Sequence, residues 1–335
     1  MWRRWLLPLI LIAVIWLLVA NRTELGAVLR TLRRGEWPWI AVAALLQVVY
    51  YLAYAELYRA AFWAVGIAGR LKTLFAVLLA SLIVNVVMPS AGAAGAALFV
   101  DDAARHGQSR ARAAAGVVLS MAADFAALTV VLAACLAYLA ARHDLRTSET
   151  IGTLVLAVMT AGMVALLLAG MWSPGGLRRA LAWAERAAER ARRALRSPGR
   201  PSGWAEHTAD EFIAVATALR TRPIASARLL VTGLGMHVLD AASLGALFLA
   251  FHQPVRLGVL VTGYAFGILA WILSPVAQGI GVVEGVIALV YTSLGMPAEV
   301  ATVIALAFRG LTFWLPMLIG AALLRQLSLL RVERS

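Results

Sequence analysis

Long apolar runs alternate with short polar ones almost from end to end of this chain. Apolar runs of roughly 17 to 25 residues are long enough to cross about 30 Å of hydrocarbon as helix. They fall at about 5–20, 37–58, 72–88, 111–140, 150–172, 224–251, 256–273 and 298–324. The pattern predicts an all-α polytopic membrane protein of about eight transmembrane helices. Two short segments, Pro89 to Val100 and Pro275 to Gly295, break it with a proline and clustered glycines: Gly92 and Gly95 in the first, Gly279, Gly281 and Gly285 in the second. Lipid supplies no hydrogen bonds, so interrupted backbone at membrane depth survives only where protein or a watery cavity surrounds it. Both segments are read as broken or re-entrant additions to the eight helices, and as the first place to look for a site.

The surroundings of the two breaks correspond. Helix 72–88 leads into Pro89, Gly92 and Gly95, then Gly107-Gln108-Ser109 and helix 111–140. Helix 256–273 leads into Pro275, Gly279 and Gly281, then Gly295-Met296-Pro297 and helix 298–324. The longest polar stretch, Ser173 to Pro223, carries ten arginines against five acidic residues. Such an excess belongs in the cytoplasm, which puts both termini there and makes helix 72–88 run outward while helix 256–273 runs inward. The loop Asn21 to Glu36 disagrees, since it would lie outside with four arginines; its amphipathic Leu25, Val28, Leu29 and Leu32 suit an interfacial position. The expected organisation is a single membrane domain with an inverted repeat: repeat one at about 37–140, a basic cytoplasmic linker at about 173–223 and repeat two at about 224–324. Interrupted helices in corresponding positions of inverted repeats mark the substrate site of alternating-access transporters. Within the linker, Leu177, Leu181, Ala184, Ala188, Ala191 and Leu195 recur at helical spacing among arginines. That describes either an amphipathic helix on the inner leaflet or a solvated, partly helical connector.

Composition agrees with a membrane class. The 335 residues are 62% hydrophobic and 14% charged, with mean hydropathy +0.84; soluble domains carry about a quarter charged residues. Met1-Trp2-Arg3-Arg4 and the run after it resemble a signal peptide without an evident cleavage site, so the segment is read as a retained anchor. The net charge of +13 is almost all arginine, Lys72 being the one lysine. At membrane ends this speaks for topology and anionic headgroups, with phospholipids and no nucleic acid as partners. Cys135 is the single cysteine, so no intrachain disulfide forms.

Ionisable residues inside a span are expensive and are functional candidates. Glu284, three residues after Gly281, and Arg309, within the last helix, are the sharpest pair. Two readings stand: Arg309 receives a lipid phosphate while Glu284 holds the guanidinium or meets a cationic headgroup, or the two form an ion pair locking helices together. Asp124 and Asp240 are candidate partners for an arginine or a proton. His237, one turn before Asp240, suits either a proton relay or a satisfied buried histidine. Asn85, one turn before Pro89, is read as capping carbonyls that the proline leaves unpaired. Asp101-Asp102 is either a helix-end pair facing Arg105, Arg110 and Arg112, or, if external, the acidic pair of a membrane glycosyltransferase. No phosphate loop, zinc spacing or nucleophile elbow occurs, so neither cofactor, metal nor catalytic residue is expected.

Two stretches carry a resemblance. One is Asn85, Pro89, Gly92 and Gly95 leading to Arg105-His106-Gly107-Gln108-Ser109. The other is Pro275, Gly279, Gly281, Glu284 and Gly285, then Gly295-Met296-Pro297 and Arg309, Thr312, Trp314, Pro316 and Gly320. Together they resemble the flippase-like transmembrane domain family named after lysylphosphatidylglycerol synthase, over most of the chain. The resemblance implies movement of an anionic or aminoacylated phospholipid, or a lipid-linked precursor, between leaflets of a bacterial inner membrane. Members that make lysylphosphatidylglycerol carry an additional C-terminal aminoacyl transferase domain, and that activity is not expected of these residues. The charged first-half motif common in the family is replaced by Ala93, Ala94, Ala96 and Ala97. On the resemblance, Arg309, Glu284, Gly279, Gly281, Pro275, Asn85, Pro89, Gly92 and Gly95 form the candidate substrate site. The competing expectation is a non-transporting scaffold or regulator of an envelope-lipid biosynthetic enzyme.

Overall fold

The computed structural model describes residues 33, 35–87, 93–142, 158, 161–162, 165, 169, 172–194, 205–206, 209–210, 213, 217, 223–274 and 277–324. The span 5–20, most of 150–172, the C-terminal tail, and the candidate residues Pro89, Gly92 and Pro275 lie outside the described residues. Among those described, all regular structure is helical. In chain order the helices are α1 (Trp37–Ala64), α2 (Leu71–Val87), α3 (Ala93–Arg105), α4 (Arg110–Arg142), α5 (Pro174–Ala194), α6 (Pro223–Ala250), α7 (Leu257–Leu273), α8 (Val282–Ser293), α9 (Ala298–Arg309) and α10 (Leu315–Leu324). A 3₁₀ turn, Ala277–Gly279, separates α7 from α8, and a π-turn, Gly310–Trp314, joins α9 to α10.

Among the described residues, four helices are long and apolar enough to cross a bilayer: Trp37–Ala64, Arg110–Tyr138, Ile224–Ala250 and Ala298–Gly320. Their outward faces carry large apolar side chains, such as Leu45, Val231 and Val238, each more than three-fifths exposed. α2 and α7, expected as full spans, are 17 residues each. At 1.5 Å per residue that is about 25 Å. Each packs back against the helix after it. Glycines of α7 let α8 lie close: Gly263 sits beneath the ring of Tyr291, and a methyl group at Gly267 would lie 2.9 Å from Ile287. Small residues at such contacts are how helices approach where lipid offers no hydrophobic driving force. Asn85 makes the matching contact in the α2–α3 hairpin. Its Oδ1 accepts the Gly95 backbone N–H at 2.8 Å, so it ties the two arms together. A Cβ at Gly95 would meet the Asn85 amide at 2.6 Å.

α1 and α6 form the central seam. Ser243 Oγ donates to the Ala43 carbonyl at 3.2 Å, Gln47 Nε2 to Asp240 Oδ1 at 2.7 Å, and Arg228 Nη2 to Glu56 Oε1 at 2.6 Å. Rising numbers in one helix meet falling numbers in the other, so the pair is antiparallel. Against this seam α4 packs on α1 and α6, α10 packs on α2, and α7 packs on α4. Gly320 rests on the Leu79 carbonyl and Ile83, while Leu132 clusters with Ala265 and Leu269.

Hairpin geometry sorts charges to two ends. The end formed by the last turns of α1 and α3 and the first turns of α2, α4 and α6 carries Arg59, Arg70, Lys72, Arg105, Arg110, Arg112 and Arg228 against Glu56, Asp101 and Asp102. The opposite end carries Arg33, Arg142 and Arg256 against Glu36 and Glu299. Separately, α5 is helical over the predicted basic stretch, with Leu177 and Leu181 buried against Ala205 and Ala209, and Arg178 paired to Asp210 at 2.7 Å. Leu195 lies beyond its described turns.

Candidate functional site

The chain cannot continue α7 through Ser274–Gly281. Gln278, Gly279 and Gly281 have φ of 57°, 69° and 79°, a left-handed region that glycine enters freely and glutamine at a cost. The turn aims the Gln278 carbonyl back into the protein. Glu284 follows in the first turn of α8, where a carboxylate is favoured by the helix dipole.

Arg309 lies at the end of α9, where the π-turn begins. Its Nε donates to Glu284 Oε1 at 2.8 Å and its Nη2 to the Gln278 carbonyl at 2.9 Å, and the guanidinium lies 4.7 Å above the Phe313 ring. Arg309 and Glu284 are 7% and 6% exposed, so neither faces acyl chains. Alone in this setting each charge would cost several kcal/mol; together they neutralise one another. The second carboxylate oxygen, Glu284 Oε2, is buried with no hydrogen-bond partner among the described residues.

The π-turn has a cause in the sequence. Pro316 lacks an N–H, which frees the carbonyl four residues back, that of Thr312. Tyr51 of α1 takes it up, its hydroxyl donating to Thr312 O at 2.7 Å.

Beside the arginine lies a second polar cluster, contributed by four helices. The three residues singled out in the spans, Asp124, His237 and Asp240, meet here. His237 Nε2 stands 3.6 Å from Asp124 Oδ1, and His237 Nδ1 is 3.0 Å from the Tyr264 hydroxyl. Tyr264 and Gln47 both hydrogen-bond Asp240, and the Tyr54 hydroxyl donates to Asp124 Oδ2 at 3.4 Å. Sequence reasoning missed Gln47, Tyr51, Tyr54, Tyr264, Gln278 and Phe313. For the α1 residues a signal was present: Gln47, Tyr51, Tyr54 and Tyr58 recur every three to four residues through an apolar span, one polar stripe on one helix face.

Of the remaining candidates, Gly279 and Gly281 form the break itself, and Gly95 is the partner of Asn85. Asp101 pairs with Arg110 at 3.2 Å and Asp102 approaches His106 at 3.7 Å, the helix-end arrangement. Among the described residues no three His, Cys, Asp or Glu side chains gather as a metal site requires. A cavity of about 260 Å³ opens at the arginine-rich end, lined by Arg59, Ala60, Trp63, Ile67, Gly69 and Arg228; Arg309 is not among its walls.

An all-helical body with four long apolar helices, two folded-back helix pairs and a buried ion pair at the break of one of them defines an integral membrane protein of the polytopic helical class. The sequence profile described as the lysylphosphatidylglycerol synthase TM region matches residues 5–320, nearly the whole chain, and the chain belongs to this family, whose name ties it to membrane lipids. No curated protein matches it.

Proposed function

We propose that the protein is a lipid flippase of the bacterial cytoplasmic membrane that moves an anionic or aminoacylated phospholipid, or a lipid-linked precursor, between leaflets. The observation that carries this reading is Arg309: a guanidinium buried at membrane depth, held against an interrupted hairpin by one carboxylate oxygen and one carbonyl. A guanidinium is suited to a phosphate because it offers several donors in a planar fork. An arriving phosphate would exchange with Glu284, freeing a carboxylate that meets a cationic headgroup or takes up a proton.

An inverted repeat supports alternating access. α1 and α6 are both 28 residues long and α2 and α7 both 17. Pro223 follows Trp37, and Leu257 follows Leu71, by the same 186 residues. Gly107 and Gly295, 188 residues apart, both take positive φ before the next long helix. The two cross-contacts named above, Gly320 on Leu79 and Ile83 and Leu132 with Ala265 and Leu269, are equivalent under these shifts. On this reading each hairpin re-enters from its own face, and rocking of one repeat against the other would open the shut site to either leaflet. The arginine-rich end is assigned to the cytoplasm, which puts both termini there.

The test is translocation of fluorescent phosphatidylglycerol in proteoliposomes. Wild-type protein should equilibrate the label; Arg309→Ala, purified folded, should lose at least nine-tenths of that rate. Unchanged movement in the folded variant would remove Arg309 from the site.

One observation favours a second reading. α5 is a basic helix with Trp183, Arg178, Arg179, Arg186 and Arg190 exposed, a face suited to anionic lipid or to an envelope-lipid enzyme that the protein would scaffold. Co-purification with such an enzyme, with no translocation by pure protein, would favour it. A glycosyltransferase is less well supported, because Asp101 and Asp102 are engaged by Arg110 and His106.

A further inference from the structure

The cluster beside Arg309 holds more acid than base. Asp124 and Asp240 share it with His237, Tyr54 and Tyr264, while the nearby Arg309 is already opposed by Glu284. If both aspartates were ionised, the cluster would hold one or two uncompensated negative charges in a protein interior, a state costly enough that such groups take up protons instead. The hydrogen bonds point the same way. His237 Nδ1 faces Tyr264, whose hydroxyl bonds Asp240. With Nδ1–H donating to Tyr264, the imidazole Nε2 presents a lone pair, and that nitrogen is buried without a hydrogen-bond partner 3.6 Å from Asp124 Oδ1. Two lone pairs facing each other repel; one proton between them satisfies both.

We propose that Asp124, His237, Tyr264 and Asp240 form a proton-binding relay joining α4, α6 and α7, and that its proton is exchanged in step with the Arg309 site. Three shifts carry a proton along it. Asp124 gives its carboxyl proton to His237 Nε2, Nδ1–H passes to the Tyr264 oxygen, and the Tyr264 proton passes to Asp240. Asp124 ends ionised, Asp240 ends neutral, tyrosine is restored, and the imidazole is neutral in its other tautomer. The charged and titratable groups facing the relay are Tyr50, Tyr51, Tyr54 and Tyr58 from α1, Cys135 from α4 and Arg309 from α9. Arg309 lies within electrostatic reach of Asp240. A phosphate that neutralises the guanidinium therefore makes an ionised Asp240 less favourable and calls the proton to that end. The protonation of the relay stands independently; only its link to lipid rests on the flippase reading.

Two measurements on the full-length protein in phosphatidylethanolamine–phosphatidylglycerol vesicles test this. Infrared spectra at neutral pH should contain a protonated-carboxyl C=O band that weakens in Asp124→Asn and in Asp240→Asn. Absence of the band, or the same band in both folded variants, overturns the relay. Tyr264→Phe, which removes one hydroxyl, covers the case in which an aspartate variant does not fold; it should leave the band and abolish its shift on titration, and an unaltered shift overturns the pathway. Fluorescent phosphatidylglycerol is then followed under an imposed pH gradient. One proton per lipid supports about a tenfold leaflet bias per pH unit, a bias that Asp240→Asn and Tyr264→Phe should lose. Wild-type movement indifferent to the gradient overturns coupling while the flippase reading stands. Absence of any movement in wild type overturns the flippase reading, and the infrared result decides the relay by itself.

Discussion

The two folded-back hairpins share a scaffold and differ in chemistry. In α2–α3 the arms are joined by an uncharged contact, Asn85 to the Gly95 amide. In α7–α8 the break is left-handed, and Glu284 and the Gln278 carbonyl hold a guanidinium from a third element. Under the shift of 188 residues the counterparts of Glu284 and Arg309 are Ala96 and Met121, both partly buried in an apolar cluster. The same asymmetry recurs beside the seam: Tyr51 bonded to Thr312 corresponds to His237 facing Asp124. Shape can be duplicated cheaply because backbone packing needs only small residues in the right register. Charge cannot, since each buried ion needs its own partner, and the α7–α8 hairpin is the one that holds such a pair among the described residues.

The largest expected effect comes from breaking the charged hairpin. Arg309→Ala leaves Glu284 buried and unpaired, and should cost about 3–5 kcal/mol, read as a drop in thermal midpoint of the detergent-purified protein. Glu284→Gln with Arg309→Gln should recover most of that stability while translocation of fluorescent phosphatidylglycerol stays absent. Recovery of both would mean the pair serves only to hold helices together. Building the missing pair into the other hairpin sharpens the contrast. Met121→Arg alone buries a lone charge and should destabilise by a similar 3–5 kcal/mol, and adding Ala96→Glu should restore part of it; the thermal midpoints of single and double variants check this.

Smaller effects concern packing. Gly263→Ala forces a methyl group into the Tyr291 ring and should cost about 1–3 kcal/mol, measurable by the same melt, whereas Val77, its counterpart in α2, should accept alanine without any clash. Smallest is Tyr51→Phe, which removes the bond to Thr312 and should cost about 0.5–1.5 kcal/mol. A loss larger than that of Gly263→Ala would show that the π-turn depends on this one hydroxyl.

Much of this was legible in the sequence because lipid imposes strict rules. Apolar runs gave α1, α4, α6 and the α9–α10 helix within a few residues, and proline and glycine marked both breaks. Glu284 and Arg309 stood out because a span tolerates few charges, and their pairing across 25 positions needed only the assumption that neither is left alone. What escaped depended on three dimensions. Nothing along the chain says that Tyr51 lies opposite Thr312, or that Asp124, His237 and Asp240, from two distant segments, converge on Tyr264. Nor does anything along the chain say that Asn85 reaches the Gly95 amide in the neighbouring arm.

The seam between α1 and α6 is pinned near both extremities, by His252 to Glu36 at 3.2 Å at one and by Arg228 to Glu56 at 2.6 Å at the other, with Gln47 to Asp240 in between. Sliding one rod past its neighbour by a single residue, about 1.5 Å, would strain every fastener simultaneously. Tilting about the middle one loosens only the fastener on the side that gapes. By these contacts a tilt disturbs the α1–α6 pair less than a slide does.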